Sequence, residues 1–356
     1  MAEKLNVCVI FGGQSSEHEV SRVSVVSVVN NLDKEKYNML LLGITKQGGW
    51  YLYSGDIGKI PTGEWEQDAE NLRQAVISPS PIHRGLLVLD NGEMQNVNID
   101  IAFPVLHGTY GEDGTMQGLF ELACIKYVGC GVLASCVGMN KIYAKMAFDS
   151  VGLKQAKWVS VYKKEFGDMD SVVKRVETLG YPCFVKPANA GSSVGISRAA
   201  DRASLIEALH TAAQHDRQIV VEEAISGREV ECSVLGNDTP KASVVGEIIS
   251  ADGFYDYDEK YKNNTAKTCI PADLDTATAE KIRESALIAF KAIDGAGLSR
   301  VDFFVQHSDG ALIINEINTL PGFTSISMYS KLWAEAGISY SELLDELIQL
   351  ALIREK

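Results

Sequence analysis

Short apolar runs alternate with a helical pattern over the first third of the chain. Val7–Phe11, Met39–Ile44 and Ile101–Leu106 are short and apolar, and such runs predict buried strands. Valines from Val20 to Val29 recur near helical spacing, which predicts a helix after the first strand. Strands that alternate with helices are typical of an open parallel sheet covered by helices, so we predict an α/β architecture here.

The pattern changes after about residue 135. Two strand-like runs, Cys183–Pro187 and Ile219–Glu222, flank a helical stretch near residues 201–215. From Glu229 to Val234 polar and apolar residues alternate, which predicts an antiparallel strand with one face in solvent. The polar, aromatic segment 252–267 follows neither period, and its length favours a functional loop over a simple connector.

The last third of the chain predicts a hairpin and two amphipathic helices. Residues 301–305 and 311–317 are strand-like and are joined at Ser308–Gly310. Residues 280–293 and 341–352 have helical apolar periodicity. We therefore predict three lobes, 1–135, 136–226 and 227–356, the last of which carries the 252–267 loop.

Composition and charge narrow the function. The 356 residues include 33 basic and 47 acidic ones, and the net charge of −14 argues against nucleic acid as a partner, because its backbone attracts basic surfaces. No apolar run approaches the roughly 18 residues that a membrane span needs, and no secretory signal is recognisable. Seven cysteines without a CxxC pair favour reduced thiols. We expect a cytoplasmic protein that handles small molecules.

The first candidate site is the polar segment Gly12–Glu19, which follows the first predicted strand. Ser16 and Glu19 have the spacing of a capping box, so a helix is predicted to start here. The acidic residues could simply complement the helix dipole. Alternatively, a carboxylate beyond the carboxyl end of a strand could bind an ammonium group, because ligands of open α/β sheets bind there. His107 also follows a strand, but a lone histidine is more often structural.

Two further segments suggest a nucleotide. Lys186 ends a strand and precedes the small-residue loop Gly191–Gly195, whose backbone N–H groups could bind phosphate oxygens. A flexible turn is the alternative, and the loop is not a Walker motif. The segment 222–229 lies between two predicted lobes, where cofactors often bind. By composition alone it is only a hinge.

The strongest signal comes from the ends of the predicted hairpin. Glu316 and Asn318 are two residues apart on an extended strand and therefore share a face. Pairing within the hairpin would bring Asp302 close to them. Their oxygens suit Mg²⁺ shared with phosphates, and Arg300 could stabilise charge on a transferring phosphoryl group. A solvated polar sheet end is the minority alternative.

Taken together, these motifs resemble the D-alanine–D-alanine ligase family of the ATP-grasp superfamily. The resemblance covers nearly the whole chain, and its motifs occur in the family's order. The matching segments are Gly12–Ser21, His107–Gly108, Gly111–Gly114, Lys186–Pro187, Gly191–Gly195, Phe254–Tyr257, Lys260–Tyr261, Arg300–Asp302 and Glu316–Ser325.

The resemblance implies a three-lobed fold in which the two later lobes grip ATP, and it implies a homodimer. It implies a site with residues of four kinds. The catalytic residues would be Glu17, Ser192, Tyr261 and Arg300. The ATP-binding residues would be Lys141, Lys186, Glu222, Glu223, Ala224, Ile225, Glu229 and Lys260. The substrate-binding residues would be Glu17, His107, Gly322, Ser327 and Met328. Asp302, Glu316 and Asn318 would bind two Mg²⁺ ions, or Mn²⁺.

The implied reaction joins two D-alanines for peptidoglycan precursor synthesis, with the 252–267 loop as a lid. Related resistance ligases use D-serine or D-lactate as the second substrate. The D-serine ligases typically have an arginine where Met328 stands, and this favours D-alanine here. Two departures from the family pattern are Glu223, where many members have lysine, and Ile326, where histidine is common.

Three rival functions fit the sequence motifs less well. Another ATP-grasp ligase or carboxylase would not need the Glu17 motif or Lys260–Tyr261. A nucleotide-binding module without chemistry would have no need of Arg300 and the metal ligands. A dinucleotide oxidoreductase would need a GxGxxG after the first strand, and Gly12–Gly13 continues instead as Gln14–Ser16.

Overall fold

The computed structural model describes residues 4–191, 193–249, 267–324 and 327–355. The strands are β1 Leu5–Gly12, β2 Tyr37–Ile44, β3 Trp50–Tyr53, β4 Leu72–Ile77, β5 Gly85–Asp90, β6 Glu93–Asn98, β7 Ile101–Pro104, β8 Lys126–Tyr127, β9 Trp158–Tyr162, β10 Cys183–Pro187, β11 Ser197–Ala199, β12 Gln218–Glu223, β13 Gly227–Gly236, β14 Lys241–Ile249, β15 Lys267–Cys269, β16 Gly297–Gln306 and β17 Leu312–Asn318. The α-helices are α1 His18–Asn31, α2 Thr115–Ala123, α3 Val132–Met139, α4 Lys141–Ser150, α5 Met169–Val176, α6 Arg202–Ala212, α7 Thr276–Ala292, α8 Met328–Glu335 and α9 Tyr340–Ile353.

The first sheet is parallel only in its second half. Its order is β6-β5-β4-β3-β2-β1-β7-β8. β1 pairs in parallel with β2 and β7, and β7 with β8, as the apolar runs predict. The remaining strands, β3 to β6, extend the sheet in antiparallel fashion. The predicted parallel sheet is confirmed for β2, β1, β7 and β8, whereas residues 50–98 add four antiparallel strands that the sequence analysis did not predict.

Two antiparallel sheets follow along the chain. The central one has the order β11-β10-β12-β9, and the last has the order β15-β14-β13-β16-β17. The predicted hairpin is confirmed as β16 and β17. The predicted half-solvated strand is wrong, because β13 lies inside its sheet and its polar residues Glu231 and Ser233 are buried. Alternation of residue types revealed two faces but could not show that both are covered.

The hydrophobic core of the first sheet extends to the far end of the chain. Leu343, Leu344, Leu347 and Ile348 of α9 are fully buried and belong to the same cluster as Val9 and Phe11 of β1. The N-terminal sheet therefore depends on a helix more than 300 residues away in sequence. Within the described residues, no helix is both long and apolar enough to cross a membrane.

Candidate active site

One cleft is lined by residues from all three sheet regions. It brings together a large part of the predicted site, namely Glu17, His107, Lys141, Arg300, Glu316, Asn318, Gly322, Ser327 and Met328. Other predicted residues that the structure describes lie outside this lining, namely Lys186, Glu222, Glu223, Ala224, Ile225, Glu229 and Asp302. The cleft is thus the place where residues far apart in sequence converge.

Glu17 lies just before α1, and its carboxylate lies close to two glycine-containing loops. The residue is only 6% exposed. A Cβ on Gly191 would lie 2.5 Å from Glu17 Oε2, and a Cβ on Gly108 would lie 2.7 Å from the same atom. A larger residue at either position would displace the carboxylate. The absence of side chains at the two glycines therefore permits Glu17 to approach the loop after β10.

The start of α1 differs from the predicted capping box. The helix begins at His18 with Glu17 at the N-cap position, and no side chain caps it. Glu19 instead forms an ion pair with Lys46 at 2.6 Å. The capping-box prediction is wrong because Glu19 pairs with a lysine from the β2–β3 connection, while Glu17 faces the cleft.

His107 forms a buried pair with Glu112, a residue to which the sequence analysis assigns no role. His107 Nδ1 lies 3.4 Å from Glu112 Oε1, and its Nε2 lies 3.4 Å from Ser24 Oγ. Burial lowers the pKa of His107, but the carboxylates of Glu112 and Glu17 and a hydrogen bond to the Leu320 backbone together outweigh burial and raise that pKa. Burial raises the pKa of Glu112 in turn. Its position within the glycine-rich motif Gly111–Gly114 was the available signal.

Lys141 is positioned by the start of α4. The side chain of Asn140 accepts hydrogen bonds from the N–H groups of Ile142 and Tyr143, which caps the helix. Lys141 Nζ donates to the carbonyl of Ala190 at 2.8 Å and lies 3.8 Å from Glu316 Oε2. This lysine therefore links the loop after β10 to the last sheet across the cleft.

Lys186 ends β10 and pairs with Glu222 of β12. Lys186 Nζ lies 2.9 Å from Glu222 Oε2. Burial lowers the pKa of Lys186, but the carboxylates of Glu222 and Glu316 outweigh burial and raise that pKa. Lys186 is therefore a firmly charged ammonium group near the cleft.

Glu222 to Ile225 form the end of β12 and the turn after it. The Glu222 carboxylate points towards lysines, not outward. The Glu223 carboxylate accepts a hydrogen bond from the Lys157 N–H at 2.8 Å, and the Ala224 N–H donates to the Pro182 carbonyl at 3.2 Å. Glu223, the departure from the family pattern, is thus bound to the backbone before β9. Glu229 lies farther on, in β13, opposite Phe304 of β16.

Three carboxylates form a row across the last sheet. Glu231 of β13 lies opposite Asp302 of β16, which lies opposite Glu316 of β17. Arg300 donates to both oxygens of Asp302 at 2.8 Å, and its Nε lies 3.0 Å from Glu231 Oε2. Burial alone would lower the pKa of Arg300, and the neighbouring acids raise it instead. The sequence does not indicate a role for Glu231, because this residue lies on the strand face that is predicted to be in solvent.

The predicted metal ligands occupy neighbouring positions in this sheet. Asp302 and Glu316 are direct partners, and Asn318 is the partner of Arg300 two residue pairs away. Asn318 Oδ1 accepts a hydrogen bond from the Leu320 N–H at 3.1 Å. Among the described residues, no group of three or more His, Cys, Asp or Glu could hold a metal ion. The predicted set needs only two carboxylates and an amide, and these hard oxygen donors fit Mg²⁺.

The predicted second-substrate residues lie around the start of α8. Ser327 Oγ accepts a hydrogen bond from the Thr324 N–H at 2.9 Å. The same oxygen would lie 3.1 Å from a Cβ on Gly322, so space beside that glycine is tight. Met328 is buried and packs against Ile248 and Leu332. This corner of the cleft is therefore narrow and partly apolar.

Several predicted residues lie outside the part of the chain that the structure describes. They are Ser192, Lys260, Tyr261, Ile326 and the predicted lid 252–267 except Lys267. Their predicted roles remain predictions.

Comparison with solved structures identifies the class of protein. The chain superimposes with a TM-score of 0.90 on the VanG D-Ala:D-Ser ligase from Enterococcus faecalis, with 40% identity over 98% of this chain and 100% of that one. The D-alanine-D-alanine ligase from Coxiella burnetii gives a TM-score of 0.85 with 34% identity over 98% of this chain and 95% of that one. The fold is thus the ATP-grasp fold, as the resemblance implies.

Sequence comparison identifies the family within that class. The family described as D-ala D-ala ligase N-terminus matches residues 6–130, and D-ala D-ala ligase C-terminus matches residues 147–349. A D-alanine–D-alanine ligase from Acetivibrio thermocellus is 55% identical over 99% of this chain and 97% of that protein. A D-alanine–D-alanine ligase from Thermoanaerobacter sp. strain X514 is 51% identical over 98% of this chain and 97% of that protein. The chain belongs to the D-alanine–D-alanine ligase family, a family of ATP-dependent ligases.

Proposed function

We propose that this protein uses ATP to join two D-alanines into D-alanyl-D-alanine. The observation that carries the proposal is the shared cleft, which is lined by Glu17 together with Lys141, Arg300 and Glu316. A buried acid suits the ammonium of an amino acid, while lysine and arginine suit the phosphates of ATP. Family membership supports the same reaction.

The chemistry accounts for the site. A carboxylate is a poor acylating agent because oxide is a poor leaving group, so phosphorylation of the first D-alanine supplies phosphate as the leaving group. The neutral amine of the second D-alanine then attacks the acyl phosphate, and the tetrahedral intermediate expels phosphate. Arg300 would offset charge that develops on the oxygens. Because acyl phosphates hydrolyse, water must be excluded, and the 252–267 loop is our candidate lid.

We assign residues to each substrate on the same basis. Glu17 would bind the ammonium of the first D-alanine, together with Ser192 and Tyr261, and His107 would lie beside it. Lys141, Lys186 and Lys260 would bind the phosphates of ATP. The nucleoside would lie against the segment 222–225 and Glu229. Gly322, Ser327 and Met328 would border the second D-alanine.

Mg²⁺ would be held by Asp302, Glu316 and Asn318, and Mn²⁺ could replace it. When bound, these ions would neutralise phosphate charge and polarise the transferring group. The row of acids beside Arg300 supports this assignment.

The alternative second substrate is D-serine, because the VanG structure resembles this chain so closely. The buried thioether of Met328 favours the methyl group of D-alanine, since an apolar wall offers no partner to a hydroxyl group.

A phosphate-release assay tests both points. The purified protein with Mg-ATP and D-alanine should release phosphate and form D-alanyl-D-alanine, identified by mass. D-Serine or D-lactate added at equal concentration should yield only a minor mixed product. A protein that forms no dipeptide under these conditions would contradict the proposal, and a predominant mixed product would favour the D-serine alternative.

We further propose a cytoplasmic homodimer. All seven cysteines are free, which suits a reducing compartment. The homodimer follows from the family resemblance, and light scattering of the purified protein should give twice the chain mass of 38.7 kDa.

A further inference from the structure

Lys145 is a buried lysine to which the proposed reaction assigns no role. Its side chain is only 2% exposed, and its Nζ lies 3.3 Å from Glu222 Oε1. Burial lowers the pKa of Lys145 even though Glu222 opposes that effect. Burying an ammonium group is unfavourable. A protein with well-packed apolar residues in place of a buried ion pair is often at least as stable. A charge at this position therefore calls for an electrostatic reason.

The geometry connects Lys145 to the nucleotide side of the cleft. Lys141 and Lys145 are four residues apart in α4, so they share one face of that helix. Ile142 of α4 packs against Val220 of β12, which places α4 on one face of the central sheet. Glu222 is two residues beyond Val220 and shares that face. The helix therefore presents Lys145 to Glu222 from within the lobe.

Glu222 stands between two lysines. One carboxylate oxygen faces Lys145, and the other lies 2.9 Å from Lys186 Nζ. Without Lys145, the charges of Glu222 and Lys186 would cancel each other, and Glu316 and Glu229 would add only negative charge near Lys186. With Lys145 present, the negative charge of Glu222 is shared between two ammonium groups, so these three side chains together carry one net positive charge.

We propose that Lys145 is a positioning residue for the triphosphate: it neutralises Glu222 from behind and so leaves the charge of Lys186 available to phosphate. This inference rests on the proposed function, because it takes Lys186 as a phosphate ligand. Lys145 itself touches no substrate and acts through Glu222.

Calorimetric titration of the full-length protein tests the proposal without requiring turnover. Lys145→Met should weaken binding of Mg-ATP about tenfold, within the range of pairwise couplings between neighbouring charged residues. Binding of adenosine, which lacks phosphates, should stay unchanged. Lys163→Met is the matched control, because Lys163 lies in the same lobe and donates to the Ala213 carbonyl at 3.1 Å, outside the cleft lining. That variant should bind both ligands as the unmodified protein does.

A double-mutant cycle tests whether Lys145 acts through Glu222. In a Glu222→Gln background, Lys145→Met should no longer weaken Mg-ATP binding. The proposal is overturned by Mg-ATP binding within twofold of the unmodified protein, by equal weakening of ATP and adenosine, or by the same loss in both backgrounds.

The two proposals fail in different ways. Unmodified protein that binds no Mg-ATP would overturn the proposed function and this inference together. Unmodified protein that ligates D-alanine, alongside a Lys145→Met variant with normal nucleotide affinity, would overturn this inference alone.

Discussion

Glu17 and Glu19 are neighbours in sequence but have different surroundings. Glu17 is buried against Gly108 and Gly191, whereas the Glu19 side chain is 50% exposed and pairs with Lys46. Only Glu17 lines the cleft. The two acids therefore form a natural pair of test and control positions.

Glu17→Gln should raise the KM for the first D-alanine about 10- to 100-fold, the loss expected for a hydrogen bond to a charged group. The KM for ATP should change little, because we assign the phosphates of ATP to lysines and only the ammonium of D-alanine to Glu17. Steady-state kinetics with each substrate varied in turn would measure both values. Glu19→Gln should behave as the unmodified protein; an equal effect in both variants would contradict a role in ammonium binding.

Arg300 is held between two buried acids, so its guanidinium is pre-oriented. Arg300→Ala should lower kcat by on the order of a hundred- to a thousand-fold, as for the loss of a single transition-state donor. A kcat within a few-fold of the unmodified value would refute this role. Arg283→Ala is the control, because Arg283 of α7 donates to the carbonyls of Ser243 and Ala242 in β14 of the same sheet and does not line the cleft.

At the scale of elements, the loop after β10 approaches the N-terminal region through a glycine. Gly191→Ala would add a Cβ at 2.5 Å from Glu17 Oε2. Either the loop after β10 or the Glu17 carboxylate would then have to move. A shift of about 1 Å can cost a hundred-fold in rate, and we expect kcat/KM for D-alanine to fall by at least tenfold.

Gly167→Ala provides the comparison for that loop. Gly167 follows β9 of the same central sheet and has open space around the Cβ position. Kinetics and thermal melts of both variants should separate a local clash from a general effect of alanine. A Gly191→Ala protein with normal kcat/KM would show that the close approach is unimportant.

At the scale of the whole molecule, the cleft collects residues from three sheet regions, so nucleotide should stabilise the entire fold. A ligand that binds only the native state at one hundred times its Kd adds about 2.7 kcal/mol to the free energy of unfolding. Chemical denaturation with and without Mg-ATP would measure this gain. A nicotinamide dinucleotide should give none, and an equal gain would support the oxidoreductase alternative.

Much of the secondary structure was readable from local pattern. The pattern predicts the strand Cys183–Pro187 to the residue. It also predicts the β16–β17 hairpin, whose pairing brings Asp302 close to Glu316, and the structure places these two residues directly opposite each other. Both follow from short-range physics, since the side-chain period of a strand and the chemistry of a turn are local. The motifs likewise sufficed to indicate the family.

Other features depended on what packs against each face. Residue types alone could not reveal that Glu231 is buried beside Arg300, that Glu112 holds His107, or that Lys145 lies behind Glu222. Nor could they show that α9 completes the core of the N-terminal sheet. Local sequence sets which side chains share a face, whereas burial, ion pairing and the resulting pKa shifts arise from segments that only the folded chain brings together.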